Sequence, residues 1–206
     1  LWKKCVDDNL DYISIFEDDI LLGEHAEQFL ANDEWLKVRF NFQEIFVLRL
    51  ETFLMPVQLE HQQQILPFQK RTIDILKSKH FGTAGYIISN GAAKYLINLF
   101  EKLAIEEIKA IDEIMFNEQI NVGVYQVYQL NPAICVQELQ LNQENSLLVS
   151  DLQQDRKKNT AVHTKKTLKQ RLTRIKENII RALNKDKWKE QQRLKEMQGK
   201  EIVRFM

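Results

Sequence analysis

Three carboxylates in a row, Glu17-Asp18-Asp19, are the residues whose types and spacing point most directly to chemistry. They end the apolar run Tyr12-Ile-Ser-Ile-Phe16, which reads as a buried strand. Adjacent carboxylates repel one another, so the end of a buried strand gains no stability from them. In open α/β sheets, ligands sit at the carboxyl ends of strands. Alternate residues there, Glu17 and Asp19, project the same way. Hard divalent cations such as Mg2+ and Mn2+ prefer oxygen ligands and bridge a carboxylate to a substrate diphosphate. The competing reading is a solvated acidic turn ahead of a helix, whose N-terminus favours acids.

Two further segments are candidates. In Gly82-Thr-Ala-Gly85 and the following Tyr86-Ile-Ile-Ser89, the glycines let backbone approach a ligand closely. A loop, strand, serine cap and helix in succession fits the lining of a nucleotide-sugar cleft, although for the glycines taken alone a plain structural turn is the favoured reading. Asp112-Glu113 opens a helical stretch, where a carboxylate serves either as a cap or as a general base aimed into a cleft. His25, His61, His80 and His163 are scattered without HxH or HxxxH spacing and read as surface or satisfied core residues. Cys5 and Cys135 lie far apart and read as free thiols of a reducing compartment. No phosphate-binding GxxxxGK, dinucleotide-binding GxGxxG or nucleophile-elbow GxSxG segment occurs.

The elements that must position these residues follow from periodicity. Tyr12–Phe16 and Ile45–Leu50 read as strands, and Glu24–Leu36 as a helix with Ala26, Phe29, Leu30 and Leu36 on one face. Val57–Glu60 and Arg71–Leu76 read as short strands around a loop at Pro67. Tyr86–Ser89 is a strand, Ser89 or Asn90 caps a helix over Ala92–Leu103, and Ala93, Leu96, Ile97 and Phe100 form its inward face. A helical stretch runs from Glu113 to Ile120, and a strand over Val122–Leu130 ends at Asn131-Pro132. Lys165–Met197 reads as long basic helix with a stripe of Leu168, Leu172, Ile175, Ile179 and Leu183. Strands alternating with helices predict an α/β sheet domain with flanking helices.

The bulk numbers bound these readings. A chain of 206 residues with 44% hydrophobic residues can bury a sizeable core, and its six glycines and three prolines exclude collagenous or low-complexity classes. No apolar run approaches the ~18 residues needed to span a bilayer. Net charge is zero, but residues 151–206 hold 17 Lys and Arg against 7 Asp and Glu, and residues 1–150 hold 12 against 22. The basic region fits contact with an anionic membrane surface or packing against the acidic domain. Nucleic-acid binding is disfavoured, because only Trp188 and Phe205 interleave its charges.

Taken in order, the segments resemble glycosyltransferase family 25, the bacterial lipooligosaccharide galactosyltransferase type. The resemblance rests on Ile15-Phe-Glu-Asp-Asp-Ile20, on Gly82 to Lys94, on Ile111-Asp-Glu-Ile-Met-Phe116, and on Val124 to Pro132 with Gln137 downstream. It covers residues 1–156 and leaves residues 157–206 as a basic helical extension. The resemblance implies a GT-A-like α/β fold, a UDP-sugar donor (often UDP-galactose) and metal-assisted, inverting transfer to a lipid-linked lipooligosaccharide core sugar. Glu17, Asp18 and Asp19 match the family's metal and donor motif and would hold Mn2+ or Mg2+. Thr83, Gly85 and Tyr86 fall where donor contacts are expected. Asp112, then Glu113, would be the base. A cytoplasmic enzyme, peripheral at the inner face of the inner membrane, is the expected setting. Family members usually begin with a Val-Ile-Ser-Leu strand and an Arg-rich segment. Nothing before Leu1 supplies these, so the domain is expected to be N-terminally incomplete, with an inactive remnant as the alternative.

Overall fold

A computed structural model of the chain describes residues 1–120, 122–141 and 197–206. The chain divides into two compact units, Leu1–Ser146 with Lys200–Met206, and Leu147–Gly199. The expected basic helix, its apolar stripe and its membrane contact lie outside the described residues, as does the expected boundary at 156/157.

The first unit opens with helix α1 (Trp2–Asp7), strand β1 (Tyr12–Phe16) and strand β2 (Ile20–Leu22). Two short helices follow, α2 (Ala26–Leu30) and α3 (Glu34–Lys37), where one continuous helix was expected. The break falls at Asn32, whose side-chain oxygen accepts the Glu34 N–H at 3.2 Å. Short polar side chains of this kind compete with the helical backbone bond. Next come β3 (Phe46–Arg49), β4 (Glu51–Thr52), β5 (Pro56–Val57), β6 (Leu59–Glu60), β7 (Thr72–Leu76) and β8 (Gly85–Ser89). Helix α4 (Asn90–Phe100) precedes a 3-10 turn at Ile105–Glu107 and the helical turn α5 (Ile111–Glu113). The expected helical stretch from Glu113 to Ile120 is helical as far as Glu118, with Ile114–Glu118 wound wider than an α-helix and Gln119 N–H reaching Ile114 C=O at 3.0 Å. Strands β9 (Gln126–Asn131) and β10 (Cys135–Gln137), helix α6 (Glu138–Leu141) and strand β11 (Glu201–Ile202) complete the order among the described residues.

Six strands form a mixed sheet in the order β1-β8-β3-β9-β7-β6, with β3 and β9 parallel and the other pairs antiparallel. A smaller sheet has the order β2-β10-β4. Alternate residues serve opposite faces of the large sheet, as a strand's period of two requires. Ile15, Val47, Tyr86, Ile88 and Val127 join one core with Ala92, Ala93 and Leu96 of α4, while Phe46, Leu48, Ile87 and Leu130 join another with Phe29, Trp35 and Leu36 of α2 and α3. Helices on both faces of a mixed sheet are the α/β class expected.

Ser89 starts α4 as its cap. Its hydroxyl oxygen accepts the Ala92 N–H at 3.2 Å and the Phe46 N–H at 3.1 Å, and its proton goes to Glu44 C=O at 2.8 Å. The last residues return to the first unit. β11 pairs with β5, Thr52 donates its hydroxyl to Val203 C=O at 2.7 Å, and Val203 is fully buried.

Candidate functional site

The topology gathers the sequence candidates at one end of the large sheet. β8 runs antiparallel to both β1 and β3, so its first residue lies beside their ends. Gly82–Ala84, which leads into β8, therefore meets the acidic turn that follows β1 and the Arg49–Glu51 stretch that joins β3 to β4. β10 closes the group from the second sheet, with Gln137 paired to Ile20 and Cys135 to Glu51.

Glu17 and Asp19 share one donor. Gln137 Nε2 lies 3.1 Å from Glu17 Oε2 and 3.1 Å from Asp19 Oδ2. Thr83 Oγ1 donates to Glu17 Oε1 at 3.0 Å. Burial raises the Glu17 pKa, the charges of Asp19, Asp18 and Asp112 add to the rise, and the Thr83 hydroxyl partly offsets it. The carboxylates thus face each other with neutral donors rather than a fixed cation between them.

Not every expected residue joins in. Asp18 is exposed, and among the described residues its side chain has no hydrogen-bond partner. Of the three consecutive carboxylates, Glu17 and Asp19 share the Gln137 amide and Asp18 does not, and no cluster of three or more His, Cys, Asp or Glu poised for a metal occurs among the described residues. Gly85 and Tyr86 serve the sheet. A Cβ on Gly85 would collide with Cys135 Sγ, and the buried Tyr86 hydroxyl accepts the Trp2 indole N–H at 3.0 Å. Of the three expected donor contacts, Thr83 alone reaches the acidic turn.

Asp112 is buried and reaches the same loop. Its Oδ2 accepts the Gly82 N–H at 3.2 Å, and its Oδ1 accepts the Glu113 N–H at 2.9 Å. Glu113 is held apart from it, paired with Lys79 and accepting Asn117 Nδ2 at 2.6 Å. The Lys79 hydrogen bond lowers the Glu113 pKa, which makes Glu113 a weak proton acceptor.

Sequence reasoning passed over Arg49 and Glu51, which lie fully buried under this site. Their signal was present: charged residues at the end of the apolar run Ile45–Leu50 are costly to bury without a purpose. Among the described residues, His25, His61 and His80 make no hydrogen bond or ion pair with Glu17, Asp19 or Asp112, and His163 lies outside them. His80 is buried, its Nδ1 2.6 Å from Phe81 C=O, and burial beside Arg49 holds its pKa well below the usual range. Cys5 and Cys135 are both free and buried.

The model of glycosyltransferase family 25 (LPS biosynthesis protein) matches residues 1–115, which include the acidic turn, the Gly82–Tyr86 segment and Asp112-Glu113. The chain belongs to glycosyltransferase family 25. It is 64% identical to lipooligosaccharide biosynthesis protein lex-1 of Haemophilus influenzae over 206 residues, all of this chain and 68% of that protein. It is 39% identical to the lacto-N-neotetraose biosynthesis glycosyltransferase LgtB of Neisseria gonorrhoeae over 211 residues, covering 100% of this chain and 74% of LgtB. With LgtE of Neisseria meningitidis it shares 44% identity over 159 residues, 76% of this chain and 56% of LgtE. The chain thus spans little more than half the length of LgtE and about two thirds of lex-1. As a family 25 glycosyltransferase, it has a fold that places three of the family-like segments within hydrogen-bond reach of one another. Among the described residues, no helix is long and apolar enough to cross a membrane.

Proposed function

We propose that this chain carries the donor site of a UDP-sugar-dependent hexosyltransferase that builds lipooligosaccharide core, with galactose the first donor sugar to test. The names of lex-1 and LgtB supply the pathway. The observation that carries the donor site is the Gln137 amide shared by Glu17 and Asp19 beside the Thr83 hydroxyl.

The residues fit a divalent cation. Two carboxylates with oxygen ligands are enough for Mg2+ or Mn2+ when substrate phosphates and water complete the coordination. Asp19 and Glu17 would hold the ion, and when bound it would neutralise negative charge on the leaving diphosphate. Gln137 orients both carboxylates, and Thr83 fixes Glu17.

Transfer with inversion needs a base for the acceptor hydroxyl. Asp112 is the carboxylate for that role. It takes the hydroxyl proton as the acceptor oxygen bonds to the anomeric carbon and the bond to UDP breaks on the opposite face. The Gly82 N–H holds the Asp112 carboxylate against the same loop that carries Thr83. The acceptor in this reading is a lipid-linked core oligosaccharide.

Calorimetric titration of UDP into the full chain, with and without Mn2+, tests the proposal. Metal-dependent binding that disappears in Asp19→Ala is the expected result, followed by a screen of UDP-sugars for turnover. Absence of binding in both conditions would favour a remnant without donor-site function.

A further inference from the structure

We propose that Arg49 and Glu51 are positioning residues, whose buried ion pair holds the Phe81–Ala84 loop in the path that brings Thr83 to Glu17 and the Gly82 N–H to Asp112. The inference rests on the reading of this loop as part of the donor site.

Both side chains are buried, with Arg49 Nη2 2.7 Å from Glu51 Oε1. Arg49 also makes two hydrogen bonds to the loop. Nη1 donates to Gly82 C=O at 2.8 Å and Nη2 also donates to Phe81 C=O at 2.9 Å. Nε donates to Gln129 Oε1 at 3.3 Å, and the guanidinium lies 4.1 Å over the Phe116 ring centre. Glu51 takes the other side of the same loop, its Oε2 accepting the Ala84 N–H at 2.8 Å. One ion pair therefore fixes two loop carbonyls and one loop N–H. Thr83 lies between the fixed groups and is the residue whose hydroxyl meets Glu17.

A buried ion pair is a weak device for stability, because desolvation cancels most of the attraction and a packed apolar pair of similar volume serves as well. What it gives here is a defined backbone path. The guanidinium fork offers donors at fixed angles that a lysine ammonium cannot reproduce. Glu51 needs both oxygens as acceptors. A glutamine there must turn its NH2 toward either Arg49 or the Ala84 N–H, donor against donor. Gly82 completes the fit, with φ of +82° and a position where an added Cβ would lie 2.9 Å from Glu51 Oε1.

The test uses the full chain as wild type, Arg49→Lys and Glu51→Gln. Steady-state kinetics with a UDP-sugar donor are read alongside amide hydrogen exchange. The expected result is a donor KM raised at least tenfold with the acceptor KM changed less than twofold. Exchange at Ala84 should speed at least tenfold relative to Ile87 and Ile88 of β8. A purely structural role would lower apparent kcat through lost active protein, leave both KM values alone and speed all these amides together, and that pattern overturns the proposal. If Arg49→Lys does not fold, Gly82→Ala presses on the same pair from the loop side and should give the same selective rise in donor KM. A wild type that turns over no UDP-sugar would defeat the functional reading alone, since the exchange comparison still decides whether the pair holds the loop.

Discussion

Asp112 holds the Gly82 backbone N–H at 3.2 Å, which ties the helical turn α5 to the loop ahead of β8 across 30 residues of sequence. The contact joins the candidate base to the candidate donor loop. It also separates Asp112 from its neighbour Glu113, which faces Lys79 instead.

Asp112→Asn should lower kcat by about 10²–10⁴-fold, the usual contribution of a general base, with donor KM little changed. Glu113→Gln should cost far less. Rates of UDP release with a saturating acceptor decide between them, and equal losses in the two variants would move the base role away from Asp112.

Gln137→Ala removes the donor that Glu17 and Asp19 share. A hydrogen bond to a charged group is worth about 1.5–3 kcal/mol, so Mn2+-dependent UDP affinity should fall by at least about tenfold. Titration calorimetry reads the change. Unchanged affinity would show that the two carboxylates hold their places without the amide.

The Lys79–Glu113 pair should leave a mark on acid stability. A carboxyl whose folded pKa is lowered stabilises the fold above its ordinary pKa and loses that contribution as pH falls through the lowered value. Lys79→Met should therefore flatten the acid limb below about pH 4.5. Both side chains are partly exposed, so the cost at neutral pH should be only about 0.5 kcal/mol. Urea unfolding across pH measures both.

Gly85→Ala should destabilise the unit by about 1–3 kcal/mol through overpacking, since the new methyl would meet Cys135 Sγ and the Phe16 ring. Adding Cys135→Ala should recover much of the loss. Thermal unfolding of both single variants and the double variant gives the coupling between the two positions.

The excess of 17 basic over 7 acidic residues in 151–206 predicts salt-sensitive binding to anionic vesicles. Sedimentation with phosphatidylglycerol vesicles should show binding that weakens as salt rises from about 0.1 M to about 1 M. Equal binding to neutral vesicles at either salt would remove the membrane role.

Periodicity located the strands that carry the site because each is a short apolar run ended by a polar break, as at Phe16 to Glu17 and Ser89 to Asn90. It overran at Glu24–Leu36, where the apolar spacing continues but Asn32 diverts the backbone. It placed a helical stretch after Asp112 but not its wider winding at Ile114–Glu118, since that winding still buries Ile114, Met115 and Phe116. The acidic turn and Asp112 were legible because carboxylates beside apolar runs are costly. Their contacts were not, because Gln137 lies 118 residues from Asp19. Arg49 and Glu51 were hidden for a related reason. Two charges of opposite sign two residues apart look self-sufficient until the loop groups that they hold come into view.

The bond from Thr52 to Val203 C=O spans 151 residues, and the first unit is thereby interrupted and later resumed. Such a bond cannot form on a ribosome until synthesis has passed residue 203, so β5 waits with an open edge while most of the chain is made. Contacts this distant in sequence slow folding.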